Sequence, residues 1–437
     1  MDIVARVIRL PELSTEVPGP LSRALAERLA RVEAPGVTCL DPSLWTPVFW
    51  ERGEGLAIVD VDGNRFLDAT SAFGASALGH AHPAVAAAIA EQSARLVHGM
   101  GDVHPTRLKV ELCERLAERG PWEEGARILL ASTGAEAVEG ALKTARLASG
   151  KPRILAFEGG YHGLTYGTLA CTHREHFRSP FADQLRSDLV VHAPCSLAGL
   201  DALDERALEG VGAILCEPIQ GRGGVVVPEP GFWSRLFELS RRLGAILIAD
   251  EVFTGCGRTG VFLASVLEGV EPDLIVLGKA LASGFPLSAV LGRAAVMNAW
   301  PVSHGDAIHT STHLGNPLGC AAALASLEEL DRGDWIENAH ERGGTLACGL
   351  AELATRHPGA VATTRGRGLM QALVLEDARL APALLTAALR RGLFLLGAGE
   401  HGEAIELTPP LVLGEEHVRS ILRLLEDSLI EVTEVGV

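Results

Sequence analysis

Between Ile128 and Leu277 the chain repeats one pattern six times: a short apolar run that stops at a glycine or a polar residue. The runs are Ile128–Leu130, Ile154–Phe157, Leu189–Val191, Ala213–Cys216, Ala245–Ala249 and Leu274–Leu277. Runs without polar alternation belong to strands covered on both faces. The helical patterns between them, among them Ala135–Ala148 and Phe232–Leu243, supply the covering layers. This predicts an α/β fold around a mostly parallel central sheet. Outside that region, residues 18 to 34 have helical periodicity, and Gly55–Asp68 reads as a hairpin turning at Asp62-Gly63-Asn64. From about Asn316 the chain is helix-rich, with helices expected over Leu318–Leu330, Ile336–Ala354, Leu380–Arg391 and Glu416–Leu429, and reads as a smaller α+β unit.

In an open parallel sheet, ligands lie off the carboxyl ends of the strands, so the residues following each run are the candidates. The first run leads into Ser132-Thr133-Gly134-Ala135-Glu136, small residues entering a helix, where free N–H groups and the helix dipole favour an anion. The next leads to Tyr161-His162-Gly163, another to Glu217-Pro218-Ile219-Gln220-Gly221, and the last two to Asp250-Glu251-Val252 and Gly278-Lys279. Lys279 is one of four lysines and Tyr161 one of two tyrosines. A phosphate cradle, an aromatic ring, carboxylates and a rare amine are thus expected along one edge.

Several classes are excluded or disfavoured. A net charge of −17 offers no basic footprint for nucleic acid or an anionic membrane. No purely apolar stretch is long enough to span a bilayer, and Met1 to Glu16 carries charges in place of a leader's apolar core, so a cytoplasmic protein is expected. The eight scattered cysteines form no C-x-x-C pair and read as buried thiols. Ala245–Glu251 has the form of a Walker B strand, but no G-x-x-x-x-G-K-[ST] accompanies it. Gly255, Gly257 and Gly260 match G-x-G-x-x-G but lie several residues past a strand, and the next aspartate, Asp273, follows too soon for a dinucleotide site. His80 and His82 lack a third ligand at a usable spacing and read as turn and interface residues, so no metal is assigned.

Seven segments resemble, in order, those of class III pyridoxal-phosphate-dependent aminotransferases. They are 60–83, 132–146, YHG at 161–163, EPIQG at 217–221, DEVFTGCGRTG at 250–260, GKALASGFPLSAVLG at 278–292 and STHLGNPLGCAAA at 311–323. The resemblance implies fold type I, with a large domain over residues 70–320 and a small one built from 1–69 and 321–437. It implies that Lys279 holds the cofactor aldehyde as a Schiff base and moves protons, and that Asp250 keeps the pyridine nitrogen protonated. Tyr161 and Val252 would flank the ring, with His162 and Glu217 among the cofactor's neighbours. Thr133, Gly134 and Ala135 would bind phosphate, joined by Thr312 from a second subunit, which makes the active unit a homodimer. Phe73 would line the substrate pocket. The implied reaction moves an amino group from an amine or amino acid to an oxo-acid or aldehyde. A racemase, epimerase or aminomutase on the same fold is the alternative.

Three residues depart from the family pattern. Phe253 stands where a glutamine often bonds the cofactor's phenolic oxygen, Glu406 where an arginine often binds a substrate carboxylate, and Arg222 where glutamate often follows EPIQG. Either Arg222 supplies the missing cation, or the pocket takes a polyamine-like or amino-sugar-like substrate. The plainer expectation is that Glu406 turns to solvent.

Overall fold

The computed structural model describes residues 10–40 and 46–434. Residues 1–9, on which part of the leader argument rests, lie outside it. Among the described residues, fifteen strands form three sheets. The first begins with β1 (Trp50–Glu54), β2 (Ala57–Asp60) and β3 (Arg65–Asp68). β2 and β3 pair as the expected antiparallel hairpin. Asp60 closes its turn, accepting from the Asn64 N–H at 2.8 Å and from the Asn64 side chain at 2.8 Å.

The central sheet holds β4 (Ala126–Ala131), β5 (Arg153–Phe157), β6 (Val190–Ala193), β7 (Val211–Cys216), β8 (Ile246–Asp250), β9 (Leu274–Leu277) and β10 (Ser288–Arg293). Their order is β4-β10-β9-β8-β7-β5-β6. All six expected strands are present and run parallel. β7, β8 and β9 are buried throughout, whereas the edge strands β4 and β6 keep partly exposed positions. The seventh, β10, was not expected. It enters antiparallel between β9 and β4, joined to β9 by a short connection that carries Lys279.

The remaining strands are β11 (Val361–Arg367), β12 (Met370–Leu375), β13 (Leu393–Phe394), β14 (Leu396–Ala398) and β15 (Ala404–Leu407). β13 joins the first sheet beside β3, and the others form an antiparallel sheet ordered β11-β12-β15-β14. The helices of the last third are Pro317–Arg332, Trp335–Arg356, Leu380–Arg390 and Glu415–Glu434. The expected helix at 18–34 is shorter, Pro20–Leu29. No described helix is long and apolar enough to cross a membrane. Only four cysteines are buried; Cys39 and Cys348 are exposed, which corrects the reading of all eight as buried thiols.

Candidate active site

The ends of β4, β5, β7, β8 and β9 bring most of the candidate residues to one edge. After β4, Thr133 caps the helix Gly134–Ser149, its hydroxyl accepting from the Glu136 N–H at 3.2 Å. The N–H groups of Gly134 and Ala135 are left without an intrahelical acceptor. A Cβ added at Gly134 would lie 3.0 Å from a Val252 methyl, so the cradle is closed on that side by Val252.

At the end of β8, Asp250 is buried, and each carboxylate oxygen has a partner. Oδ2 meets His162 Nδ1 at 2.7 Å, and Oδ1 accepts from the Val252 N–H at 3.1 Å. Burial opposes protonation of His162, but the hydrogen bond and charge of Asp250 outweigh it and raise the imidazole above its ordinary value. His162 Nε2 is buried without a partner among the described residues. Glu217, after β7, accepts from the Tyr161 N–H at 2.8 Å and the Gly221 N–H at 3.0 Å. Burial, reinforced by Asp250 and opposed by His162, raises it to about 7.

Lys279 follows β9 with φ of 41°, a left-handed conformation uncommon for a side-chain-bearing residue. Its Nζ lies 3.5 Å from the centre of the Phe253 ring. Burial brings its amine down to about 8, opposed by Glu406, Glu217 and Asp250 and assisted by Arg222. Phe253 fits between two glycines: a Cβ at either Gly74 or Gly221 would overlap its ring.

Glu406 is 2 % exposed, on β15, so the expectation that it turns to solvent is wrong. It sits in an apolar strand whose edges are covered by β12 and β14. Burial raises its carboxyl above the usual range, with Lys279, Arg222 and Arg258 pulling the other way. Arg258 was missed by sequence reasoning, which met it only inside a glycine pattern. It is 1 % exposed and donates to the carbonyls of Leu369 and Pro409. A lone arginine among glycine, threonine and apolar residues was the available signal. Arg222 lines a cavity of about 380 Å³ together with Tyr161, Arg174 and Arg365.

Two candidates stand apart within the single chain. Thr312 is exposed. Phe73 is 56 % exposed and borders a different cavity, of about 230 Å³. It lies in a turn where Ser71, Ala72, Phe73 and Gly74 all have positive φ. Such a run costs on the order of 1 kcal/mol per side-chain-bearing residue. The Ser71 hydroxyl, donating to the Thr408 carbonyl at 2.6 Å, helps hold it.

A seven-stranded α/β sheet with an amine, a paired aspartate and a helix N-terminus at one edge is the arrangement of a fold type I enzyme. A family profile described as aminotransferase class-III matches residues 41–429. The acetylornithine aminotransferase of Gloeobacter violaceus is 37% identical over 385 residues, covering 87% of this chain and 92% of that one. The 4-aminobutyrate aminotransferase of Escherichia coli is 36% identical over 400 residues, with the same coverage. The solved ornithine aminotransferase of Toxoplasma gondii superposes with a TM-score of 0.85 at 29% identity, over 95% of this chain and 96% of that one. The chain belongs to the class III aminotransferases, and its cofactor is pyridoxal phosphate. The donor set fits that group: an amine for the aldehyde, a carboxylate for the ring nitrogen, apolar surface for the ring and a helix N-terminus for the phosphate. The exception is the phenolic oxygen, for which Phe253 offers no hydrogen bond.

Proposed function

We propose that Lys279 is the residue that carries the cofactor and moves the proton in amino transfer, with Asp250 as its electrostatic counterpart at the ring nitrogen. When bound, pyridoxal phosphate supplies an electron sink that lets a C–H bond next to nitrogen ionise. The chain's residues divide the remaining work. The N–H groups of Gly134 and Ala135, with Thr133, hold the phosphate. Val252 and Tyr161 bound the ring on its two faces. The His162 side chain fixes Asp250 in place, and Glu217 fixes the backbone of Tyr161. Lys279, at about 8, is partly neutral near pH 7 and able to accept and return a proton.

One observation carries this reading: a half-buried lysine amine, 3.5 Å from the centre of the Phe253 ring and under the charges of Glu406, Glu217 and Asp250, at the edge that also holds the helix N-terminus. The exposed Thr312 supports a homodimer in which that residue completes the phosphate site of the other subunit. So do the exposed apolar side chains Val97, Met100, Val103, Val302 and Ile308. The substrates are a small amine and an oxo compound.

The test is borohydride reduction of the loaded protein followed by peptide mapping, together with a single-turnover assay for release of an oxo product. Fixation at Lys279 with release of an oxo product supports the assignment. Fixation without oxo product from any donor points to racemisation. Fixation elsewhere, or none, refutes the role of Lys279.

A further inference from the structure

We propose that the face of the Phe253 ring is the perch on which the Lys279 amine rests whenever it is not bonded to the cofactor, so that Phe253 takes part in the reaction; this rests on the assignment of Lys279 above. A nitrogen 3.5 Å from the ring centre lies over the face, because in the ring plane it would run into the ring's own edge. The edges are held by backbone. A Cβ at Gly74 would overlap the Cδ2–Cε2 side of the ring and one at Gly221 the Cδ1–Cε1 side, so two glycines clamp opposite edges. Phe253 is buried and packs in one cluster with Ile219, Val225, Met370 and Ala372. The ring is therefore fixed, with a face presented to the amine.

Among the described residues, the amine makes no hydrogen bond and no ion pair; Glu406, Glu217 and Asp250 act on it through space. A carboxylate in contact would grip the ammonium and resist its loss, since breaking a buried pair leaves a charge uncompensated. A ring face attracts the ammonium through its quadrupole, and it takes an N–H of the neutral amine only weakly. It leaves the nitrogen lone pair free to attack an aldehyde. Lys279 has to serve in turn as acid, base and nucleophile, and the ring obstructs none of these. At such a site the contact favours the ammonium by ~3–30-fold, against the opposing pull of burial. The departure from glutamine at this position thus gives up one bond to the cofactor and gains a rest for the lysine.

The experiment compares wild type, Phe253→Leu and proteins in which Phe253 is replaced by singly, triply and fully ring-fluorinated phenylalanine. The fluorinated rings keep the shape that the two glycines clamp, while each fluorine weakens the face. Cofactor-free protein is labelled with acetic anhydride across a pH series, and acetylation of the Lys279 peptide is followed by mass spectrometry. The midpoint should fall stepwise with fluorination, by ~0.5–1.5 pH units in all, with Phe253→Leu at the low end. A midpoint unmoved by fluorine overturns the proposal, as does one moved by Phe253→Leu alone, which would be a packing effect. Protein loaded with pyridoxal phosphate is then treated at pH 7 with methylamine, which displaces Lys279 from the cofactor, amine for amine, without change of oxidation state. Borohydride traps the partition as cofactor fixed on Lys279 or released on methylamine. The fixed-to-released ratio should rise ~3–30-fold as the face is weakened, because the freed ammonium loses its perch. A constant ratio refutes a role in the reaction. If borohydride fixes nothing on Lys279 in loaded wild type, the lysine assignment falls and takes the role of Phe253 with it. If fixation is intact and neither midpoint nor ratio moves, the perch alone falls.

Discussion

The amine of Lys279 is expected to be ready to react near neutral pH in the cofactor-free protein. Burial brings it to about 8 from the ordinary lysine value of 10.5. An amine at 8 is neutral about one time in ten at pH 7, against roughly one in three thousand for an ordinary lysine, a gain of about 300-fold. The assay mixes cofactor-free protein with excess pyridoxal phosphate across a pH series, quenches with borohydride and measures the fixed Lys279 peptide by mass spectrometry. The initial rate should climb about tenfold per pH unit below about pH 8 and level off above it. Two variants should move the midpoint in opposite directions. Glu406→Gln removes the strongest charge holding the proton on, and lowers it. Arg222→Gln removes the cation working against that proton, and raises it. A midpoint near that of an ordinary lysine refutes the reasoning, as does movement of both variants in the same direction.

The same amine carries a stability signature. Its folded value lies below its unfolded one, so between about pH 8 and 10.5 the unfolded chain binds more protons, and folding stability rises with pH through that window by up to about 3 kcal/mol. Denaturant melts of cofactor-free wild type and Lys279→Ala should differ by that rise; parallel curves would contradict it. Gly221→Ala drives a methyl into the Phe253 ring and should cost about 1–3 kcal/mol. A smaller loss on adding Phe253→Ala to it than on making Phe253→Ala alone would establish the coupling by double-mutant cycle.

The large sheet was legible because strands buried on both faces leave continuous apolar runs, and Ile246–Asp250 and Leu274–Leu277 carry little else. The sequence reading missed β10 because Ser288–Arg293 follows a Gly/Pro-rich stretch and returns antiparallel, outside the alternation being sought. It also missed the strands of the third sheet. Val361–Arg367 is largely polar on its partly exposed face, and Ala404–Leu407 is only four residues long. That second omission produced the error at Glu406, since a lone charge reads as solvated in a loop but not in a covered strand. Asp250, Glu217 and Lys279 were legible because each follows an apolar run directly. Arg258 was not, because its partners Leu369 and Pro409 are more than a hundred residues away.

The antiparallel entry of β10 sets a fixed gauge across the molecule. The segment bearing the amine follows β9 and the cradle follows β4, and β10 lies between them, tied to the cradle where the Ser288 hydroxyl donates to the Thr133 carbonyl at 2.6 Å. Their lateral spacing is therefore two interstrand intervals, ~10 Å, dictated by ladder hydrogen bonds and not by connecting turns. Residues added between Ser283 and Leu287 can bulge outward without altering that span. A one-residue slip of β10 would instead point Ser288 to the opposite face and unfasten the two halves of the cofactor's seat.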